Sequence, residues 1–430
     1  MNITATLSDF AVAPVRGEAA LAMMRLSLMD WAACGIAGKA EPVARILRDM
    51  VLTEAGVPQA SLFGGGRVPA RAAALVNGAT SHALDYDDTH FGHIGHPSVA
   101  VIPAALAVAE RTGADGAAFL DACLVGVELS IRVGMWLGRA HYQTGFHQTA
   151  TAGAFGAAAA AGRLLGLDAQ AMAHALGLAA TRAAGLKSQF GTMGKPYNAG
   201  IAAATGVEVA LLAAAGFVAN PQGLEAAQGF GQTHAGAAEA GALRGLGTDW
   251  RFETVSHKFH ACCHGTHASL EALLTIREQA GEAPDRVEIT THPRWMSVCN
   301  IAEPATGLEA KFSYRMTAAM VLADVDTGAM ASFSDAICRD PALVSLRDRV
   351  FVQTDDTLPE TAARVVIRAG NRIAEASHDL DAPLSLDRRA AKLRAKAAAL
   401  IGTDPAARLV AATGAETLDP AALAALLSRG

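Results

Sequence analysis

The chain has 430 residues, with 35 Lys and Arg against 41 Asp and Glu and a net charge of −6. That length predicts two or three domains around a sizeable core. The mildly acidic balance and 5% aromatic content exclude the basic footprint and stacking platforms of a nucleic-acid binder. Six cysteines (Cys34, Cys123, Cys262, Cys263, Cys299, Cys338) are too few for a disulfide framework and read as reduced thiols of a cytoplasmic protein. The first 15 residues lack the basic and apolar regions of a signal peptide, and no strongly apolar 18-residue stretch is free of charge. Neither a leader nor a membrane span is expected.

In chain order, helical spacing runs over 19–38, 97–113, 116–137, 149–167 and 170–186. Ala and Gly inside these segments allow close backbone approach, which predicts a tightly packed bundle. The Ala-rich runs 149–167 and 197–218 carry Arg163 and Glu208 and read as buried helices. Residues 220–249, rich in Gly, Gln and Ala, read as loops with short helices. The character then changes. Residues 286–292 and 363–368 alternate polar and apolar as strands do, and 350–354 is a third candidate. Helical stretches are expected over 265–281 and 311–322, a charged exposed helix over 386–401, and Ala/Leu helices to the end. The simplest architecture is mostly α with an α+β insertion. A large all-helical bundle is built from both chain ends, 1–254 and 395–430, with a smaller α+β lid domain over 255–394.

Eight of the 14 histidines fall in two windows: His82, His90, His93 and His96, then His257, His260, His264 and His267. The first window also holds Asp85, Asp87 and Asp88. Three carboxylates within four residues cannot all be comfortably buried, so one is expected to hold a histidine, cap a helix or contact substrate. Pro97 opens an apolar helix, which puts His96 beside a helix N-terminus whose dipole suits a neutral base. A capping turn with solvated histidines is the bland alternative, and a metal held by Asp87, Asp88 and histidines is a third.

His147 precedes an Ala-rich helix, where a cap or packing residue competes with a functional one. Lys195 sits in a Gly-bracketed loop, 191–198, in an almost uncharged region, and is an anion-binding candidate. Lys258 and His264 belong to the second window, an acid–base and anion cluster at a domain junction. Cys262 and Cys263 there make a poor zinc site; a cysteine nucleophile with His264 or His267 as base stays open. No dinucleotide fingerprint occurs.

Taken together, the chain resembles the MmgE/PrpD family. The resemblance rests on Leu28-Met-Asp-Trp-Ala-Ala-Cys-Gly-Ile-Ala-Gly38, Ala79-Thr-Ser-His82, Leu84-Asp-Tyr-Asp-Asp-Thr89, His96-Pro97, Gly145-Phe-His147 and Gly194-Lys195-Pro196. It implies a large helical domain, a smaller α+β lid, a homodimer and a cofactor-free active site between the domains. It also implies roles for Asp85, Thr89, His96, His147, Lys195 and Lys258. The family includes 2-methylcitrate dehydratases, cis-aconitate decarboxylases and iminodisuccinate epimerases. Against the decarboxylases, the loop before His96 is one residue longer. Their second-domain histidine falls nearest Cys263, and their active-site tyrosine nearest Met316 with Tyr314 two residues away. His264 stands where the dehydratases place theirs. Lys258-Phe-His-Ala-Cys-Cys-His264 and Lys311-Phe-Ser-Tyr-Arg315 look most like the epimerase branch.

These reactions share carbanion-like charge beside a carboxylate, which needs cationic or hydrogen-bonding groups already in place. Lys195, Lys258 and Thr89 are expected to hold the substrate. His96 or His147 would move the proton with Asp85 orienting, and His264 or Tyr314 would serve the opposite face. The expected activity is cofactor-independent and metal-free. It leans to epimerisation of an iminodisuccinate-like small di- or tricarboxylate, with a dehydratase or decarboxylase as the alternative. A non-catalytic carboxylate-binding dimer is the alternative from another class.

Overall fold

The computed structural model describes residues 2–280 and 284–429, and the chain divides into two compact units, Met1–His257 with Ile401–Gly430, and Lys258–Leu400. The first unit opens with α1 (Ile3–Val12), α2 (Glu18–Gly38) and α3 (Pro42–Glu54). A two-residue hairpin, β1 (Ala60–Ser61) and β2 (Arg67–Val68), leads into α4 (Ala70–His82). Then come α5 (Ser98–Thr112), α6 (Gly116–Thr144), α7 (Gln148–Leu164), α8 (Ala169–Arg182), α9 (Gly194–Ala214) and the single turn α10 (Phe230–Thr233).

The bundle is close-packed where small residues meet. A Cβ on Gly200 of α9 would stand 2.3 Å from the Leu75 carbonyl of α4, and one on Gly156 of α7 would stand 2.4 Å from the Gly126 carbonyl of α6. Only glycine permits these crossings, because any side chain would force the backbones apart. Every residue of α7 from Gln148 to Gly162 is buried, so α7 is surrounded on all sides. Among the described residues two helices, α2 and α9, are long and apolar enough to cross a membrane by length and composition; here 72% and 67% of their apolar windows are buried. The expected helix 116–137 runs on to Thr144 across a kink at Gly138, whose φ of 70° is left-handed.

Within α6 the fully buried Arg132 pairs with Glu128 at 2.6 Å. Arg132 also donates to the Ala242 and Arg244 carbonyls, while Glu128 accepts from the Arg251 and Phe252 amides. Buried charges are tolerated when all their hydrogen-bonding capacity is used. This pair ties down the stretch 220–249, where the loops with short helices that composition predicts include α10.

In the second unit a 3-10 turn, His264–Thr266, enters α11 (His267–Ile276). A mixed sheet follows in the order β4 (Val350–Thr354), β3 (Arg286–Thr291), β5 (Ala362–Ala369), β6 (Arg372–Asp379). Strands β3 and β4 are parallel, whereas β5 pairs antiparallel with both β3 and β6. Alternate residues Val287 and Ile289 of β3, and Ala363, Val365 and Ile367 of β5, are buried; α11 packs against β5 and β6. The expected helix 265–281 therefore starts two residues later, and its end at Gly281 lies outside the described residues. The helix expected over 311–322 starts three residues later, as α13 (Tyr314–Leu322), because Ser313 caps it by accepting from the Met316 amide; the single turn α12 (Gly307–Ala310) precedes it. Strand β6 carries no sequence expectation. Its Arg372, Glu375, His378 and Asp379 are what an edge strand uses against unwanted pairing, and they mask the alternation. After α14 (Pro341–Arg347) and α15 (Leu386–Ile401), the chain returns to the first unit with α16 (Thr403–Gly414) against α2 and α17 (Pro420–Arg429) against α5.

Candidate active site

The segment between α4 and α5 builds a charged cluster in the first unit. α4 ends at His82, and Asp85 then adopts φ 51°, a left-handed turn conformation that Asp tolerates better than most residues. The His90 amide donates to the Gly95 carbonyl, closing a tight loop that returns His96 to the same place before α5 begins at Ser98. His82 Nδ1 donates to Asp87 Oδ1 at 2.8 Å. His96 Nδ1 lies 2.9 Å from Asp87 Oδ2, and His96 Nε2 lies 3.3 Å from Asp85 Oδ1. Lys195 Nζ reaches Asp85 Oδ2 at 2.6 Å. His147 completes the group: its ring lies 6.0 Å from that of His82, near parallel, and 4.9 Å edge-on to Phe190.

Burial sets the charge states. His82, Asp87 and His147 are each at most 2% exposed. Burial opposes charge on Asp87, yet the His82 and His96 imidazoles override it and hold its carboxyl well below the usual range. Burial pushes His82 down despite the Asp87 charge, so its Nδ1–H donor form is neutral. His147 is pushed well down by burial, and the neighbouring His82, Lys195 and His96 further disfavour a positive charge on it. Asn198 Nδ2 stands 3.2 Å from His147 Nδ1, an amide donor that leaves the ring proton on Nε2. His147 is therefore a neutral donor. As the residue preceding α7 it makes no side-chain capping bond, so the capping explanation for it fails.

Two sequence expectations change here. Lys195 is not in a loop but in the first turn of α9, where Pro196 is tolerated because no intrahelical N–H partner is needed there. The helix terminus is also not the only field on His96, since two carboxylates face its nitrogens.

The other members of the window serve the fold. His90 Nδ1 accepts from the His93 amide, and its Nε2 bonds the Arg251 carbonyl and Thr254. His93 Nε2 bonds Ser130 at 3.1 Å. Burial holds these two at about 4 and about 3, so both are neutral core histidines. Asp88 turns away from the cluster to bond the Ser98 amide and hydroxyl at the start of α5, which corrects its place among metal ligands. Thr89 exchanges backbone bonds with Ser256 at 2.8 Å each way, and its hydroxyl lies 3.3 Å from the Ser256 carbonyl.

In the second unit, Lys258 and His264 are buried, and the His264 ring stands edge-on to His267 at 4.7 Å. His260 bonds Thr327 at 2.7 Å and faces Glu271 at 3.5 Å. Tyr314 is fully buried, donating to the Gly265 carbonyl at 2.8 Å and bonding Thr291 at 3.0 Å. Burial raises its hydroxyl, with the nearby Cys299 thiol adding to the rise. A hydroxyl so engaged pins α13 to the 3-10 turn and already spends its proton on the Gly265 carbonyl. Burial likewise pushes the Cys262 thiol up to about 12, so it is no thiolate nucleophile.

Sequence reasoning passed over Asn198 and Phe190; it named His82 only as a member of its window, and Asp87 as a candidate metal ligand and one of three carboxylates of which one would hold a histidine, the role Asp87 takes with His82. Asn198 was findable, since it lies three residues after Lys195 and so shares its face on a helix. His82, Asp85, Asp87 and His96 could supply metal ligands, their donor atoms lying within 4.8 Å of one another. However, the Lys195 ammonium is already seated on Asp85 and the His82 N–H on Asp87, so a metal ion would have to displace both.

Over 281 residues the chain is 31% identical to a cis-aconitate decarboxylase-like protein of Aspergillus oryzae, covering 61% of this chain and 58% of that one. It is 33% identical over 234 residues to the cis-aconitate decarboxylase of Aspergillus terreus (51% and 48%) and 36% over 174 residues to that of Homo sapiens (39% and 36%). The chain thus spans about half the length of the named relatives it matches. The MmgE/PrpD N-terminal domain matches residues 6–242 and the MmgE/PrpD C-terminal domain residues 260–415. With both halves matched over most of its length, this two-unit, mostly helical chain belongs to the MmgE/PrpD family.

Proposed function

We propose that the protein is a lyase acting on a small di- or tricarboxylate, with cis-aconitate-type decarboxylation the leading reaction. The observation that carries this reading is the chain Lys195–Asp85–His96–Asp87 beside the neutral donor His147. Loss of carbon dioxide leaves an electron pair delocalised toward a neighbouring carboxylate, and the carbon must then take a proton. Lys195 anchors a substrate carboxylate and opposes the developing charge, with the His147 Nε2–H as a second donor; such a donor is worth roughly 3–4 kcal/mol. A proton on His96 lies between two carboxylates and is the one delivered to carbon, a step worth on the order of 10²–10⁴-fold. Thr89, Lys258 and His264 are proposed substrate contacts. The names of these three relatives support a lyase and lend nothing to the epimerisation that the sequence favoured. Elimination of water from a methylcitrate-type substrate is the second reading, favoured by His264 at the entry to α11.

Proton NMR in heavy water with cis-aconitate, 2-methylcitrate, citrate and iminodisuccinate stereoisomers tests this directly. Carbon dioxide release with one deuterium on the product carbon supports the decarboxylase. Loss or addition of water moves the assignment to a dehydratase. Deuterium exchange or inversion with nothing lost overturns the lyase reading, and so does inertness toward every candidate.

A further inference from the structure

His82 is a residue that the proposed chemistry does not use, and its surroundings are unusual for a packing side chain. It is 1% exposed at the last position of α4, edge-on to His96 with ring centroids 4.5 Å apart and near parallel to His147. Its Nδ1 donates to one oxygen of Asp87 while the other oxygen faces His96. Its Nε2 is buried with no hydrogen-bond partner among the described residues. An unsatisfied buried acceptor costs about 1–3 kcal/mol, so a histidine kept here needs a reason on its other nitrogen.

We infer that His82 is a positioning residue: through its Nδ1–H it occupies one Asp87 oxygen, divides the charge of that carboxylate between two imidazoles, and so tunes how firmly His96 holds its proton. The carboxylate is the shared element. With the His82 donor in place, Asp87 spends one lone pair away from His96. Without it, the full charge acts on His96 and favours its protonated form. Other charged or titratable groups around His96 include Asp85 and His93 from its own segment and His147 ahead of α7, with Lys195 on α9 reaching it through Asp85; the His82 variants leave the identity of all four unchanged. The consequence for turnover rests on the lyase reading above, but the geometry can be tested without it.

The experiment compares two variants of similar size. In His82→Asn the amide N–H falls near the position of Nδ1; in His82→Gln it falls near Nε2, away from Asp87. Nitrogen-15 histidine NMR of the full chain, with the His96 signal assigned through its loss in His96→Gln, reads the His96 titration without any substrate. The expected result is an upward shift of the His96 midpoint of about half to one pH unit in His82→Gln, with His82→Asn close to wild type. Where turnover is measurable, the limb of the kcat/KM profile belonging to His96 moves the same way. Equal shifts in both variants, or none in either, overturn the proposal. So does a uniform loss of kcat with an unmoved titration, which is the signature of a merely structural residue. Thermal melts of both variants check that each is folded. Because the NMR reading needs no reaction, an inert substrate panel leaves this test standing.

Discussion

The two histidine-rich windows hold four histidines each and end up with different chemistry. In the first, His82 and His96 share the buried carboxylate of Asp87, and the half-exposed Asp85 joins His96 to Lys195, so opposite charges are matched within one cluster. In the second, His260 is held by Thr327 and Glu271, and Glu271 is itself paired with Lys392. Burial opposes charge on Glu271, but His260 and Lys392 hold it down at about 2. Burial and the His264, His260 and Lys258 charges push His267 well down. Histidine density therefore marks where polar burial is concentrated, and the partners decide which imidazoles can exchange protons. The contrast also runs inside the first window: His93 and His96 are three residues apart, yet one bonds a core serine and the other sits between two carboxylates.

The largest expected effect breaks the first cluster. Lys195→Met removes the cation beside Asp85 and should lower kcat/KM by about 10²–10³-fold or more on the substrate found by NMR. A smaller loss would assign the anchoring to another group.

Next, the pair His96→Gln and His93→Gln sharpens the contrast within the window. The first should cost about 10²–10⁴-fold in kcat with little change in stability. The second should cost about 1–3 kcal/mol in denaturant unfolding, leaving turnover of the folded fraction nearly intact. Reversed outcomes would interchange the two roles.

Asp88→Asn tests the carboxylate that left the cluster. Burial raises Asp88 to about 7, with the Asp87 and Asp30 charges adding and the Ser98 bond opposing. Its folded value exceeds its ordinary one, so between about pH 4 and 7 the unfolded chain releases a proton that the folded chain keeps, and this group costs stability increasingly as pH rises. Asn cannot ionise. The variant should gain on wild type by roughly 2–4 kcal/mol between pH 4 and pH 8, read by urea unfolding at both. A pH-independent difference would show that Asp88 is ionised in the fold.

Tyr314→Phe removes a hydroxyl bonded to Gly265 and Thr291. It should cost about 1–3 kcal/mol in stability and leave the pH profile unmoved. Loss of one profile limb would restore Tyr314 as an acid. The smallest effect is expected from Cys262→Ala: kcat within a few-fold of wild type, and slow alkylation of this thiol at neutral pH in the parent chain. Abolished turnover in a folded variant would reinstate the nucleophile.

Much of this was legible in the amino-acid order because its causes are local. Apolar spacing and Ala/Gly content marked the helices that pack closest, and α7 and α9 lie where composition put them. Alternation found β3, β4 and β5, while the charged edge strand β6 escaped because its solvent-facing pattern carries little apolar signal. His96, His147, Lys195 and Asp85 were singled out by residue type and by the segments that carry the family resemblance, and these four converge. Tertiary structure decided what could not be local. Which imidazole meets which carboxylate depends on a turn with Asp85 in the left-handed region and on three further helices arriving at one point. Electrostatic interaction depends on distance and burial, neither of which is written in the sequence neighbourhood of a residue. The same reasoning explains Tyr314: its residue type allowed acid chemistry, and only the packing of α13 against the turn at Gly265 turned its hydroxyl into a structural bond.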